Sequence, residues 1–171
     1  MSKTNPSLLQ RIKSIQLLIL DVDGVLTDGQ IYLSSQGEEI LSFHIHDGAG
    51  IKQLQQLGIH IAVISGRDTK PTQCRLKKLG IQHAFLGQEN KIEAYQTLKQ
   101  TLSVANEAIA YIGDDLPDIT VMQQVGLPIA VANAVNAIKN IAFYCTKNTG
   151  GNGAVREVCD LFMMAHQPNE T

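Results

Sequence analysis

Two hydrophobic rhythms run along this chain. Leu17, Leu18, Ile19 and Leu20 form a continuous apolar run that reads as a strand buried on both faces. Similar short runs recur at Ile59 to Ile64, His83 to Leu86, Ala108 to Ile112, Leu127 to Val131 and Phe143 to Cys145. Between them the apolar positions fall at helical spacing. Leu8, Leu9, Ile12 and Ile15 mark a leading helix over Ser7 to Ile15, and Ile51, Leu54 and Leu57 mark another that Asp47 caps and Gly58 stops. Further helices are expected over Pro71 to Leu79 with Gly80, Lys91 to Leu102, from near Pro117 to Gly126, Val135 to Ile141 and Ala154 to Ala165. Gln30 to Leu33 and Glu38 to Phe43, around Ser34-Ser35-Gln36-Gly37, predict a β-hairpin over residues 30–43. The whole is expected to be one domain over residues 1–171. Its class is α/β, a Rossmann-like parallel sheet with helices on both faces and the hairpin inserted after strand one.

In such sheets ligands bind beyond the carboxyl ends of the strands, so the residues just after each strand matter most. Strand one runs into Asp21-Val22-Asp23-Gly24-Val25-Leu26-Thr27. Asp21 and Asp23 project to the same side of an extended chain, and two anions at the rim of an apolar sheet call for a divalent cation with oxygen ligands. A plain Asp-Gly turn would use the same residues. The second acidic strand end, Gly113-Asp114-Asp115-Leu116-Pro117-Asp118, weighs against that reading, and with Asp21 and Asp23 it makes a pocket suited to Mg²⁺. After Ile61-Ala62-Val63-Ile64 come Ser65, Gly66 and Arg67, a hydroxyl and a glycine N–H that suit a phosphate oxygen or an ordinary turn. Lys91 opens a helix, where a cation opposes the helix dipole unless an anion is near, although a surface lysine is the commoner case. His44 and His46 suit metal binding, substrate contact or neither, and Gly150-Gly151-Asn152-Gly153 suits an anion or a plain loop.

Composition narrows the class. The chain has 171 residues, 44% hydrophobic and 18% charged, as in ordinary soluble globular proteins. Fourteen Lys and Arg against 16 Asp and Glu leave a net charge of −2, which points to neither a nucleic-acid surface nor a membrane patch. Cys74, Cys145 and Cys159 show no Cys-x-x-Cys spacing and read as reduced thiols. With no evident secretory signal and no apolar stretch of spanning length, a cytoplasmic protein is expected.

The ordered set Asp21-Val22-Asp23-Gly24-Val25-Leu26-Thr27, Ser65, Lys91 and Gly113-Asp114-Asp115 resembles the four motifs of the haloacid dehalogenase superfamily. Asp47-Gly-x-Gly-Ile51, Ile64-Ser-Gly-Arg67 and the C-terminal Gly-Gly-x-Gly-Ala-Val-Arg-Glu extend the likeness to its 3-deoxy-D-manno-octulosonate 8-phosphate phosphatase branch. The resemblance implies a Mg²⁺-dependent phosphomonoesterase of lipopolysaccharide precursor synthesis. The hairpin would replace a separate cap domain, and the hairpins of a homotetramer would meet near its centre. It implies Asp21 as nucleophile, Asp23 as acid/base, and Ser65 and Lys91 as phosphoryl ligands. Asp21, the Asp23 carbonyl and Asp114 would hold the metal. Asp23, His44, Ile45, His46, Asp47, Gly48, Lys52, Arg67, Arg75 and Lys91 would contact a small sugar-acid phosphate. His46 and Ala49 depart from the branch pattern, which often has Arg and an aromatic there.

Two other readings use the same residues. A phospho-receiver domain also joins acids, Mg²⁺, a hydroxyl and a lysine, but its phosphorylated aspartate follows a later, central strand. An inactive oligomerising relative would be expected to have lost part of the acidic set.

Overall fold

A computed structural model describes residues 6–167; the N-terminal residues 1–5 and the tail 168–171 lie outside the described part. In chain order the elements are α1 (Pro6–Lys13), β1 (Leu17–Leu20), β2 (Tyr32–Leu33), β3 (Glu39–Ile40), α2 (Ile45–Gln56), β4 (His60–Ile64), α3 (Lys70–Leu79) and β5 (His83–Phe85). Then follow α4 (Lys91–Leu102), β6 (Ile109–Gly113), α5 (Ile119–Met122), β7 (Leu127–Ala130), α6 (Asn136–Ile141), β8 (Tyr144–Cys145) and α7 (Ala154–His166).

Six strands form one parallel sheet in the order β5-β4-β1-β6-β7-β8. The chain builds outward from β1 on one side, through β4 and β5, then crosses back to β6 on the other. Because βαβ crossovers are right-handed, this reversal places the helices of the two halves on opposite faces. It also opens a crevice over the carboxyl ends of β1 and β6. Leu20 is registered against Ile112, so the residues that follow, Asp21 and Gly113-Asp114, emerge side by side.

The central apolar runs are buried as their pattern requires, with Leu17 to Leu20 fully enclosed between strands and helices, whereas the edge strands β5 and β8 are only partly covered. One layer packs α1, α2 and α7 together, with Ile12, Leu54 and Phe162 in the core. The other packs α4, α5 and α6. Thr69 caps α3 by accepting from the Thr72 N–H, and Gly80 ends it at φ 71, a left-handed turn that glycine adopts without a Cβ clash.

Three expectations change in detail. Asp47 does not cap its helix: α2 starts at Ile45 with His44 in the cap position, and the Asp47 carboxylate accepts at 2.8 Å from the Arg156 N–H of α7 instead. The helix expected from Pro117 to Gly126 is a 3₁₀ turn, Leu116–Asp118, followed by the single turn of α5. Asp115 and Asp118 form a reciprocal capping box there, and Gly126 lies so close to the Glu107 backbone that a Cβ would collide with it. The hairpin has only two residues in each arm, Tyr32 opposite Ile40 and Leu33 opposite Glu39. Its apolar side chains find no core, which leaves the ribbon short.

Candidate active site

The end of β1 is fixed before any chemistry begins. The Asp21 N–H donates to the Ile112 carbonyl, continuing the ladder with β6. The chain then folds back on itself, with the Val25, Leu26 and Thr27 N–H groups all donating to the Val22 carbonyl. Thr27 is buried, and its hydroxyl accepts from the N–H groups of Gly24 and Gly29. Gly24 sits at φ 90, and a Cβ there would collide with the Asp114 carboxyl. The two acidic strand ends are therefore packed against each other at van der Waals range.

Lys91 is buried at 4% exposure, unlike an ordinary surface lysine. Asn90 caps its helix, and its ammonium donates to Asp21 Oδ1 at 2.8 Å and to Asp118 Oδ1 at 2.7 Å. Burial alone would lower its pKa, but Asp21 and Asp118 outweigh that and hold the amine charged. Asp118 also accepts from the Tyr111 hydroxyl at 2.6 Å and, through Oδ2, from the N–H groups of Asp114 and Asp115.

One carboxylate oxygen each from Asp21, Asp114 and Asp118 lie within 4.8 Å of one another. Both Asp118 oxygens are already engaged, so it acts as a brace for Lys91 and for the turn. Asp114 Oδ1 is buried and has no hydrogen-bond partner. Burial first, and then Asp21 and Asp118, push the Asp114 carboxyl up to about 8. Burial and then Asp118 push Asp21 up to about 6, against the opposing pull of Lys91. Two crowded carboxylates, one with an orphaned oxygen, fit a hard divalent cation held by oxygen ligands. The Asp23 carbonyl, which accepts no hydrogen bond among the described residues, is free to join them.

Asp21, Asp23, Arg67, Lys91, Asp114 and Asp118 line a cleft of about 350 Å³. The Asp23 carboxyl is raised by burial, while Arg67, donating to it at 3.2 Å, pulls the other way. Ser65 is buried at the end of β4, where its hydroxyl accepts from the Arg67 N–H and its neighbour Gly66 lines the cleft. A larger cavity of about 640 Å³ lies between α1, His44, His46 and α7. Its carboxylates are already bonded within the lining, Glu157 to Tyr144 and the Lys147 and Asn148 N–H groups, Asp160 to Arg156.

Of the residues expected to meet a sugar acid, the structure gathers Asp23, Arg67 and Lys91 in the cleft; the others do not line it. His44 and His46 stack edge to face at 5.0 Å beside the larger cavity, and Ile45 is exposed. Asp47 is buried against α7, Gly48 is packed against Arg75, and Arg75 donates to the His44 carbonyl at 3.0 Å. Lys52 lies on a surface groove with Lys77 and Lys78. The Gly150 to Gly153 loop buttresses the first acidic turn, with Gly150 against the Gly24 carbonyl and the Gly151 N–H donating to Val25. Two residues of the site carried no assignment in the sequence: Asp118, the last acid of a motif that already pointed to the cleft, and Tyr111, which reads only as core.

Residues 87–158 match the haloacid dehalogenase-like hydrolase family. The chain is 49% identical over 162 residues to the 3-deoxy-D-manno-octulosonate 8-phosphate phosphatase KdsC of Yersinia pestis, covering 95% of this chain and 87% of that protein. It is similar in structure to the 3-deoxy-D-manno-octulosonate 8-phosphate phosphatase of Moraxella catarrhalis, solved with a magnesium ion, a phosphate ion and KDO. There the TM-score is 0.91 at 42% identity, over 95% of this chain and 93% of that one. The cobalt-bound Haemophilus influenzae phosphatase matches with a TM-score of 0.88 at 42% identity, over 91% of each chain.

Proposed function

The chain belongs to the haloacid dehalogenase-like hydrolases, and from that premise we propose that it is a Mg²⁺-dependent phosphatase that hydrolyses 3-deoxy-D-manno-octulosonate 8-phosphate to the sugar acid and phosphate. The observation that carries this reading is the pair of buried Asp21 and half-buried Asp114, crowded together with an orphaned Asp114 oxygen beside a charged lysine.

Asp21, the Asp23 carbonyl and Asp114 would hold Mg²⁺, which supplies positive charge against the phosphate dianion. Lys91 adds a second positive charge and, with Ser65, orients the phosphoryl oxygens. Asp21 attacks phosphorus in line and forms an aspartyl-phosphate, which splits one hard displacement into two easier ones. Asp23 gives its proton to the departing sugar oxygen. It then takes one from the water that hydrolyses the aspartyl-phosphate, which restores Asp21. The elevated affinity of Asp23 for its proton, caused by burial, suits the first role.

The rest of the reading concerns setting. All 171 residues would form one domain, with the hairpin over residues 30–43 as its insertion. The exposed Ile31, Tyr32, Leu33 and Ile40 support a homotetramer in which hairpins bury one another. His44, Ile45, His46, Asp47, Gly48, Lys52 and Arg75 do not line their own cleft; in such an assembly the exposed Ile45 and His46 would meet the sugar acid of a neighbouring protomer, with the buried Asp47 and Gly48 only shaping that segment. The unpaired thiols support a reducing, cytoplasmic compartment, and no described helix is long and apolar enough to cross a membrane.

A screen of sugar-acid and hexose phosphates, read as kcat/KM, tests the assignment. The octulosonate 8-phosphate is expected to lead, and a hexose phosphate ahead of it would overturn the substrate. Steady phosphate release from p-nitrophenyl phosphate separates this reading from a receiver domain, which would label once and stop.

A further inference from the structure

The hairpin is held to the body by very little. Residues 30–42 bury no apolar side chain, and β2 and β3 pair only with each other. At the hairpin's root Gln30 and Tyr32 bond to Asp28. Beyond that, among the described residues, one ion pair joins residues 30–42 to the rest of the chain by hydrogen bond or charge. In it Arg67 Nη2 donates to both Glu39 oxygens at 2.6 Å. The same guanidinium donates through Nη1 to Asp23, at the mouth of the cleft. The shortest contacts of the one arginine in the cleft are thus made to a carboxylate of the chain itself.

A guanidinium recognises a carboxylate through donors that must be available when the ligand arrives. With Glu39 in place, an incoming carboxylate would join two others, Glu39 and Asp23, on a single positive charge, and like charges at that range repel. The Glu39 side chain is partly exposed, and its strand has no packing that fixes it. On its far side it borders an open groove lined by Glu38, Asp68, Thr69 and Lys70, so a displaced carboxylate is taken up by solvent there. Glu39 can therefore leave Arg67 without leaving its charge unsolvated.

We propose that Glu39 is a placeholder for the substrate's own carboxylate: it occupies Arg67 until a sugar acid displaces it, and so weakens the binding of acidic phosphate esters while leaving that of neutral ones nearly unchanged. This rests on the reading of the cleft as a sugar-acid phosphatase. Glu39 touches no reacting atom, so it is a positioning and specificity residue acting through Arg67. A neutral sugar phosphate leaves the pair in place, whereas a sugar acid has to displace Glu39 before its own carboxylate reaches Arg67.

The test is steady-state kinetics of wild type, Glu39→Gln and Glu38→Gln on 3-deoxy-D-manno-octulosonate 8-phosphate and on p-nitrophenyl phosphate, which has no carboxylate. For Glu39→Gln the KM for the sugar-acid phosphate is expected to fall about two- to tenfold, as loss of a half-exposed ion pair implies, with kcat moving far less. The KM for p-nitrophenyl phosphate should move less than that, so the ratio of the two KM values shifts. Glu38→Gln, one residue away and outside the ion pair, should leave the ratio at its wild-type value. An unchanged or raised KM for the sugar-acid phosphate in Glu39→Gln, with wild type active on it, would overturn this inference alone. A wild type active on p-nitrophenyl phosphate but on no carboxylate-bearing phosphate would overturn the substrate reading and this inference together.

Discussion

Beyond the carboxyl ends of the sheet, Asp21, Lys91 and Asp118 are nearly buried and hold one another through contacts of 2.7–2.8 Å, around β1 and β6, which pair on both sides. The hairpin inverts that arrangement, with Leu33 at 67% and Ile40 at 57% exposure and one ion pair anchoring it. The cleft spends stability to place charge, since crowded carboxylates without a cation are each held partly against ionisation. In the proposed tetramer the exposed apolar ribbon would be covered by the hairpins of other protomers. Rigid chemistry and adjustable access have thus been assigned to different parts of one small fold.

The sharpest way to break the comparison is Asp21→Asn. Turnover is expected to fall by about 10⁴-fold or more with the fold intact, measured as phosphate release beside a circular dichroism melt. Without added cation this variant should melt at or above the wild-type temperature, because one of two crowded acids is gone. Asp23→Asn comes next, with kcat on the sugar-acid phosphate lower by about 10²–10⁴-fold. Its loss on p-nitrophenyl phosphate should be smaller, since that leaving group needs little protonation.

Much of this contrast was legible in the sequence. Apolar runs ending in Asp21, Ser65 and Asp114 pointed to the carboxyl edge of the sheet, because burial on both faces leaves a strand no alternation, and two acidic strand ends together weigh against a plain turn at either. Lys91 was legible through its conflict with a helix N-terminus, which Asp21 and Asp118 resolve. The Asp47 cap was not, because a tertiary partner, the Arg156 N–H, overrides local propensity, and the 3₁₀ capping box of Asp115 and Asp118 that opens the segment before α5 was not either. Glu39 and Arg67 lie 28 positions apart on segments with no common periodicity, so nothing in the pattern couples them.

A subtler effect concerns acid and cation together. In cation-free protein the folded state raises Asp21 to about 6 and Asp114 to about 8, above the ordinary carboxylate value of 3.8. The folded state therefore keeps protons that the unfolded chain releases, and the stabilisation is complete below about pH 4 and lost as pH rises through 6 and 8. From this pair alone, the melting temperature in EDTA should decline between pH 5 and 8, and Mg²⁺ should reverse the decline while binding more tightly at the higher pH. A flat profile in EDTA would mean the acids are not crowded as described.

The smallest effect on chemistry is expected from the other region. Leu33→Ser should reduce the oligomeric mass seen by light scattering and raise KM for the sugar acid. It should change kcat on p-nitrophenyl phosphate by no more than about twofold, in line with other exposed substitutions. A tetramer unaffected by that change would remove the reason given for the exposed ribbon.

The central claim, that a carboxylate at the end of β1 takes the phosphoryl group covalently, is tested most directly by acid-quenching a single turnover of ³²P-labelled substrate with Mg²⁺ and mapping the labelled peptide. The account predicts a transient, hydroxylamine-labile label on the peptide containing Asp21, absent from Asp21→Asn. Label on another residue, or full product formation with no labelled protein at any quench time, would contradict it.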